Sequence, residues 1–184
     1  MGYHTTFEGG FYFNKPIYRD LKAYINEFCS TRRMRRDPEI IKTLYPDWRS
    51  HCFNGFLGFE GEYFTKTTIR DTSVIDFNIP PVTQPGLWCD WIIKDDQLVW
   101  NGAEKFYNYT EWLKYLIKNF FSPLGYILDG DVEFQGEDSE DYGVIHVSNN
   151  NVQIINHSRL SELSETYRFN EKEFEKISEG DPCI

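Results

Sequence analysis

No stretch of this sequence approaches the roughly 18 apolar residues that a membrane-spanning helix needs, so no membrane partner is expected. The opening Met1-Gly2-Tyr3-His4-Thr5-Thr6 has neither a basic start nor an apolar run, which reads as no secretory leader. The four cysteines, Cys29, Cys52, Cys89 and Cys183, are widely spread with no CxxC pair, and a zinc site wants closely spaced Cys or His pairs. These absences together lead us to expect a reduced, cytoplasmic protein with buried thiols. Histidine is scarce as well (His4, His51, His146 and His157), and there is no HExxH, HxH or GxSxG. The glycines never form GxxxxGK or GxGxxG, so the phosphate-cradling loops of nucleotide enzymes are missing and no cofactor is expected. The sequence therefore leans away from an enzyme. Positive charge is in short supply: 19 Lys and Arg against 29 Asp and Glu give a net charge of −10. Such a surface repels phosphate backbones, so direct nucleic-acid binding is not expected without a local basic patch.

What the chain does have is aromatic residues: 15 Phe, 12 Tyr and 5 Trp in 184 residues. Disordered chains are poor in such residues, and each buried ring removes a large apolar area from water. A folded core is expected, and the length suits a single domain.

Periodicity places the elements. Thr5 to Phe13 reads as a strand, with Gly9-Gly10 as a turn or bulge. A helix is predicted from about Pro16 to Ser30, burying Leu21, Ile25 and Phe28, with Pro38 as a stop beyond it. Between Ile40 and Pro85 only short strands are visible, at Tyr63–Thr67 and Val74–Phe77. A hairpin follows, Leu87–Ile93 with Gln97–Trp100 across a turn at 94–96. The best-specified helix runs from Tyr109 to Phe121, with Asn108 as its cap, Glu111 completing a capping box, and Tyr107 and Trp112 as a hydrophobic staple. Three β runs, Tyr126–Gln135, Gly143–Val147 and Val152–Ile155, suggest an antiparallel meander. A further capped helix is expected around Asn170 and Glu173. The order implies an α+β fold, a mostly antiparallel sheet with two main helices packed on one face and a C-terminal helical extension. Residues 1–157 form the expected domain and 158–184 a peripheral tail.

Three features carry candidate chemistry. Arg32, Arg33, Arg35 and Arg36 crowd one short segment, and guanidinium groups hold phosphate or carboxylate bidentately; the alternatives are internal pairing with the abundant acids and a protein-docking patch. Asp129, Asp131 and Glu133 fall on one face of a strand, with Glu137 and Asp138 following. Asp131, Glu133, Glu137 and Asp138 could hold Mg²⁺ or Mn²⁺, or the segment could be a solvated acidic hairpin. Trp88, Trp91 and Trp100, with Glu104, Lys105 and Tyr107, could form a stacking pocket for a base or sugar, or pack beneath the helices.

The segments MGYHTTFEG at 1–9, TRRMRRDP at 31–38, QPGLWCDW at 84–91, WNGAEKFY at 100–107 and QGED at 135–138 resemble, in the same order, a family of small hypothetical proteins from bacteria and their phages. The resemblance covers most of residues 1–150; it is weak between Ile40 and Pro80 and has no counterpart beyond about Asn156. It implies a bacterial or phage (prophage) setting and no particular chemistry, since the family carries no assigned activity.

The leading expectation is a non-enzymatic binding or inhibitory protein, with an anti-defence role among its settings. It would hold a small anionic or nucleotide-like molecule or a bacterial protein through Arg32, Arg33, Arg35, Arg36, Trp88, Trp91, Trp100, Glu104, Lys105 and Tyr107. The rivals are a metal-dependent enzyme acting on phosphoesters or nucleotides, and an acidic nucleic-acid mimic that binds a host protein.

Overall fold

The structure, a computed structural model, describes residues 2–156; the expected tail helix lies outside them. A six-stranded sheet organises the chain. Its strands are β1 (Thr5–Phe13), β4 (Trp91–Lys94), β5 (Gln97–Trp100), β6 (Leu128–Gly136), β7 (Tyr142–Ser148) and β8 (Asn151–Asn156), in the order β4-β5-β1-β6-β7-β8. Every neighbouring pair is antiparallel. The fold is α+β, with the expected hairpin and meander, although the hairpin's first strand begins at Trp91 rather than Leu87 and the meander's at Leu128 rather than Tyr126. Asp95 and Asp96 close the β4–β5 hairpin with φ of 48° and 60°, the left-handed pair that a two-residue turn needs to match strand twist.

Alternation sorts the two faces of the sheet. Phe7, Phe11, Val132, Phe134, Ile145 and Val147 point inward and are buried, while Thr6, Glu8, Tyr12, Asp129, Asp131 and Glu133 are exposed. The inward residues join one core with Leu21, Ile25 and Phe28 of α1 (Arg19–Ser30) and Trp112, Leu113 and Leu116 of α3 (Tyr109–Leu116). Many of its aromatic rings meet edge-on: Phe7 lies 5.8 Å from Trp91, and Phe11 lies 5.6 Å from Trp91, the geometry that ring quadrupoles favour. On the outer strand β4, the Asn26 side chain of α1 both donates to the Ile93 carbonyl (3.1 Å) and accepts from its N–H (2.8 Å). That pairing satisfies a strand edge that would otherwise be free to recruit another chain.

Several boundaries differ from expectation. α1 starts at Arg19 rather than Pro16, because the Tyr18 N–H is taken by the Tyr126 hydroxyl at 3.1 Å in an extended conformation. α3 continues as a π-helical turn over Ile117–Phe121 and then a 3₁₀ turn over Ser122–Leu124, so the Tyr109–Phe121 span holds while its winding changes. Asn108 does not cap α3: it is left-handed (φ 55°) and its amide donates to the Pro85 carbonyl instead.

The least legible segment forms a small second core of Ile41, Cys52, Leu57 and Phe64. Pro38 does not stop a helix here but opens one. It is the first residue of α2 (Pro38–Leu44), where Asp37 accepts from the N–H groups of Glu39 and Ile40. Arg35–Arg36 forms β2, paired with β3 (Val74–Asp76). The strand expected at Tyr63–Thr67 is absent. The N–H groups of Tyr63, Phe64 and Thr65 go to Leu57, Gly61 and His51, and left-handed residues at Gly58, Glu60 and Gly61 break any extended run. Gly61 is required twice over, since a Cβ there would meet Ile41 at 2.9 Å and Arg36 at 3.0 Å.

Candidate functional site

The four arginines do not form one exposed patch. Arg33 is 2% exposed. Its guanidinium stacks 4.1 Å from the Phe28 ring and donates to the Gln84 side chain and the Glu62 carbonyl. Arg36, equally buried, pairs with Asp71 at 2.7 Å and donates to Ser73, Thr67 and Ile69. Arg35 is taken by Glu60 through Nε (2.8 Å) and Nη2. The hydrogen bond from Arg35 holds the Glu60 carboxyl below the usual carboxylate range. Burial raises the Asp71 carboxyl, but hydrogen bonds from Ser73, Arg36 and Tyr45 outweigh it and hold that group down at about 2. Three of the four arginines therefore serve internal partners, for which planar donors that bind several acceptors at once are suited. Arg32, like Arg35, keeps part of its side chain at the surface. It is half-buried, lying 4.5 Å from the Phe77 ring and 5.8 Å from the Trp88 ring, with Nε donating to the Phe77 carbonyl.

The aromatic candidates divide in the same way. Trp91 is fully buried, with its indole N–H bonded to the Tyr109 carbonyl at 2.9 Å, so it is core and not a ligand platform. Trp100 is half-buried and packs edge-on against Phe7 at 5.5 Å. Tyr107 is exposed, but its hydroxyl accepts the Tyr3 N–H and it is not among the residues lining the cleft at Trp88. Trp88 is 41% exposed and presents its ring to that cleft.

Trp88, Glu104 and Lys105 do come together. With Cys29, Ser30, Asp90, Asn101 and Ala103 they line a cleft of about 370 Å³, within the range of small-molecule sites. Its walls come from three places in the chain: the C-terminal end of α1, the segment before β4, and the loop after β5. That loop is held in shape by Asn101. Its backbone N–H bonds to the Asp90 carbonyl (2.9 Å), its side-chain amide donates to the Asp90 carboxylate (3.2 Å), and its side-chain oxygen accepts the Ala103 N–H (2.8 Å). Gly102 (φ 86°) and Lys105 (φ 63°) complete the turn in left-handed conformations.

Asp90 is 6% exposed and has no cationic partner among the described residues. Burial pushes its carboxyl above the usual carboxylate range, and the Asn101 hydrogen bond offsets this in part. Lys105, in contrast, is exposed and pairs with no carboxylate among the described residues. The cleft thus has the exposed Lys105 and Glu104 at its rim, an exposed indole on one wall and the buried Asp90 carboxyl held by the exposed Asn101 amide. Asp90 and Asn101 fall within the two aromatic segments that the sequence marks without being named there as ligand contacts, and Cys29 and Ser30 fall outside every candidate site. The one available signal was Asp90, a buried acid within the apolar run LWCDWII.

Two other concavities offer less. A groove of about 450 Å³ on the outer sheet face is lined by Thr6, Glu8, Glu133, Gln135, Tyr142 and Val144. Glu8 sits directly across from Glu133, a like-charge pairing that repels anions. A second cleft of about 410 Å³ lies beside Lys114 and Lys118, but Glu111 and Glu62 share its lining, and the Glu62 carboxylate already accepts from Thr83, Tyr115 and the Phe59 N–H.

The acidic candidates do not assemble. Asp131 and Glu133 point outward from β6, and Asp131 is paired with His146 at 2.6 Å. Glu137 accepts the His4 N–H at 2.9 Å, and the Asp138 N–H is donated to the Tyr3 hydroxyl at 3.2 Å. Among the described residues no three His, Cys, Asp or Glu side chains converge in a metal-binding group, which removes the geometric basis for Asp131, Glu133, Glu137 and Asp138 as ligands. Among the same residues no helix is long and apolar enough to cross a membrane. Comparison of the chain with protein-family models, with curated proteins and with solved structures gives no match.

Proposed function

We propose that the protein is a binding protein for a small planar, anionic molecule of nucleotide type, held in the cleft between Trp88 and Lys105. The observation that supports this reading is the convergence of three groups on one cleft of about 370 Å³: an exposed indole, the exposed Lys105 ammonium and a buried carboxyl, Asp90, held by the Asn101 amide. Trp88 supplies a stacking face for a heterocycle, worth about 1–3 kcal/mol per base. Asp90, one oxygen of which is held by the Asn101 amide, supplies an acceptor for a ring N–H group. Lys105, with Arg32 stacked behind Trp88, attracts the anionic substituent against the −10 charge of the chain. In the bacterial or phage setting that the sequence resemblance implies, a nucleotide signal is a fitting ligand and its sequestration a fitting role.

The test is thermal unfolding against a panel of nucleotides, cyclic nucleotides and simple anions. A ligand at about 100 times its dissociation constant stabilises the native state by roughly 2.7 kcal/mol, which for a domain of this size raises the unfolding temperature by about 5–10 °C. Trp88→Ala should abolish that shift while leaving the ligand-free transition nearly unchanged. A panel with no shift, or a shift that survives Trp88→Ala, would overturn the proposal.

A further inference from the structure

Behind the cleft lie two thiols that the binding reading does not use. Cys29, next to last in α1, and Cys89, two residues before β4, have their sulfurs 3.4 Å apart, and both are essentially without solvent exposure. A disulfide needs the sulfurs at about 2.0 Å, so the two must approach by a further ~1.4 Å from the 3.4 Å at which they stand. The third described thiol is not a competitor: Cys52 belongs to the second core, where its sulfur donates to the Trp48 carbonyl.

We propose that Cys29 and Cys89 form a reversible disulfide that fixes the wall of the cleft; the consequence for ligand binding rests on the reading of that cleft given above, whereas the bond itself does not. Cys29 lines the cleft and Cys89 does not, so an oxidant as small as hydrogen peroxide meets Cys29 first. The Cys29 sulfur takes one peroxide oxygen, the O–O bond breaks, and water leaves a sulfenic acid. The Cys89 sulfur then attacks the Cys29 sulfur. The S–S bond forms, the S–O bond breaks, and the departing hydroxide takes the Cys89 proton as a second water. Two thiols are oxidised and one peroxide is reduced to two waters. Burial keeps Cys29 a thiol rather than a thiolate, which slows the first step and makes the pair respond to sustained rather than brief exposure.

The bond would act on the site through the chain. Trp88 and Asp90 flank Cys89 and line the cleft, while Ser30 follows Cys29 and lines it from the other side. A covalent tie between the two sulfurs fixes the spacing of these walls and so sets the affinity for whatever enters.

The experiment treats the full chain with hydrogen peroxide, unfolds it in the presence of an alkylating reagent, and maps the peptides by mass. The expected result is loss of two thiols and of two hydrogens' mass, with Cys29 linked to Cys89, and full recovery of both thiols on reduction. Cys89→Ser should instead give a sulfenic acid at Cys29 that dimedone traps; Cys29→Ala should give neither product. Recovery of every thiol after peroxide, or linkage of Cys52 or Cys183 instead, would overturn the proposal. Ligand-induced thermal shifts are then compared between oxidised and reduced protein. A changed shift supports the coupling, and an identical shift with the bond mapped overturns it. If the bond forms and neither state responds to any ligand, the cleft reading fails and the disulfide stands.

Discussion

The sheet-and-helix core and the small core around residues 31–85 are built on different principles. In the first, rings and aliphatic side chains from β1, β4, β6, β7, α1 and α3 bury one another, and polar groups are kept to the edges. In the second, four buried hydrophobic residues are too few to hold some fifty residues of irregular chain. Buried guanidinium groups take over: Arg33 and Arg36 reach backbone carbonyls at Glu62, Thr67 and Ile69 that no helix or strand satisfies. Unpaired buried carbonyls are costly, and an arginine with five donors can satisfy several at once. An arginine run that looks like an anion site is here a substitute for secondary structure.

That contrast can be broken from either side. Trp91→Ala removes a fully buried indole from the main core and should cost about 3–5 kcal/mol, seen as a lower denaturant midpoint. Oxidation of Cys29 and Cys89 acts in the opposite direction. Closing a loop of 60 residues should add about 4 kcal/mol by the chain-entropy relation, raising the unfolding temperature by on the order of 10 °C. Arg36→Ala strands Asp71 and frees three acceptors in the second core, and a loss of about 3 kcal/mol is expected from the same denaturant measurement.

A smaller effect comes from pH. The folded Asp71 carboxyl sits at about 2 against an ordinary value of 3.8. A depressed carboxylate contributes stability that is present above pH 4 and is lost as pH falls from about 4 towards 2. The contribution is about 2 kcal/mol. Acid titration of stability should therefore be flatter over that window in Asp71→Asn than in the native protein. The smallest effect sharpens the comparison most. Arg33 has no carboxylate partner, one of its terminal nitrogens has no acceptor, and the Glu62 carbonyl it reaches also accepts from the Gln84 amide at 2.7 Å, so Arg33→Met, which fills the space without a charge, should cost less than about 1 kcal/mol. A loss as large as that of Arg36→Ala would show that the two arginines act alike.

The two regions were also unequally legible. The 3.6-residue period of Leu21, Ile25 and Phe28 and the alternation along β6 and β7 are statements about burial on one face, and each element obeyed them. Pro38 could be read as a stop or a start, and only the capping bonds of Asp37 decide it. Side chain to backbone bonds such as Arg36 to Ile69 leave no periodic trace, so residues 40–85 stayed opaque. In the site, Trp88, Glu104 and Lys105 were visible as an unusual aromatic and charged pair of segments. Ser30 and Cys29 were not, because they reach the cleft from the end of a helix some sixty residues away.

The central claim, that the cleft and not the arginine run receives the ligand, is tested most directly by comparing Arg35→Ala and Lys105→Ala side by side for the ligand-induced rise in unfolding temperature. Arg35 is the most exposed of the internally paired arginines, with 36% of its side chain open to solvent, so its loss should leave the rise intact, whereas Lys105→Ala should reduce it by more than half. A rise lost with Arg35→Ala and retained with Lys105→Ala would contradict the account and return the site to the arginines.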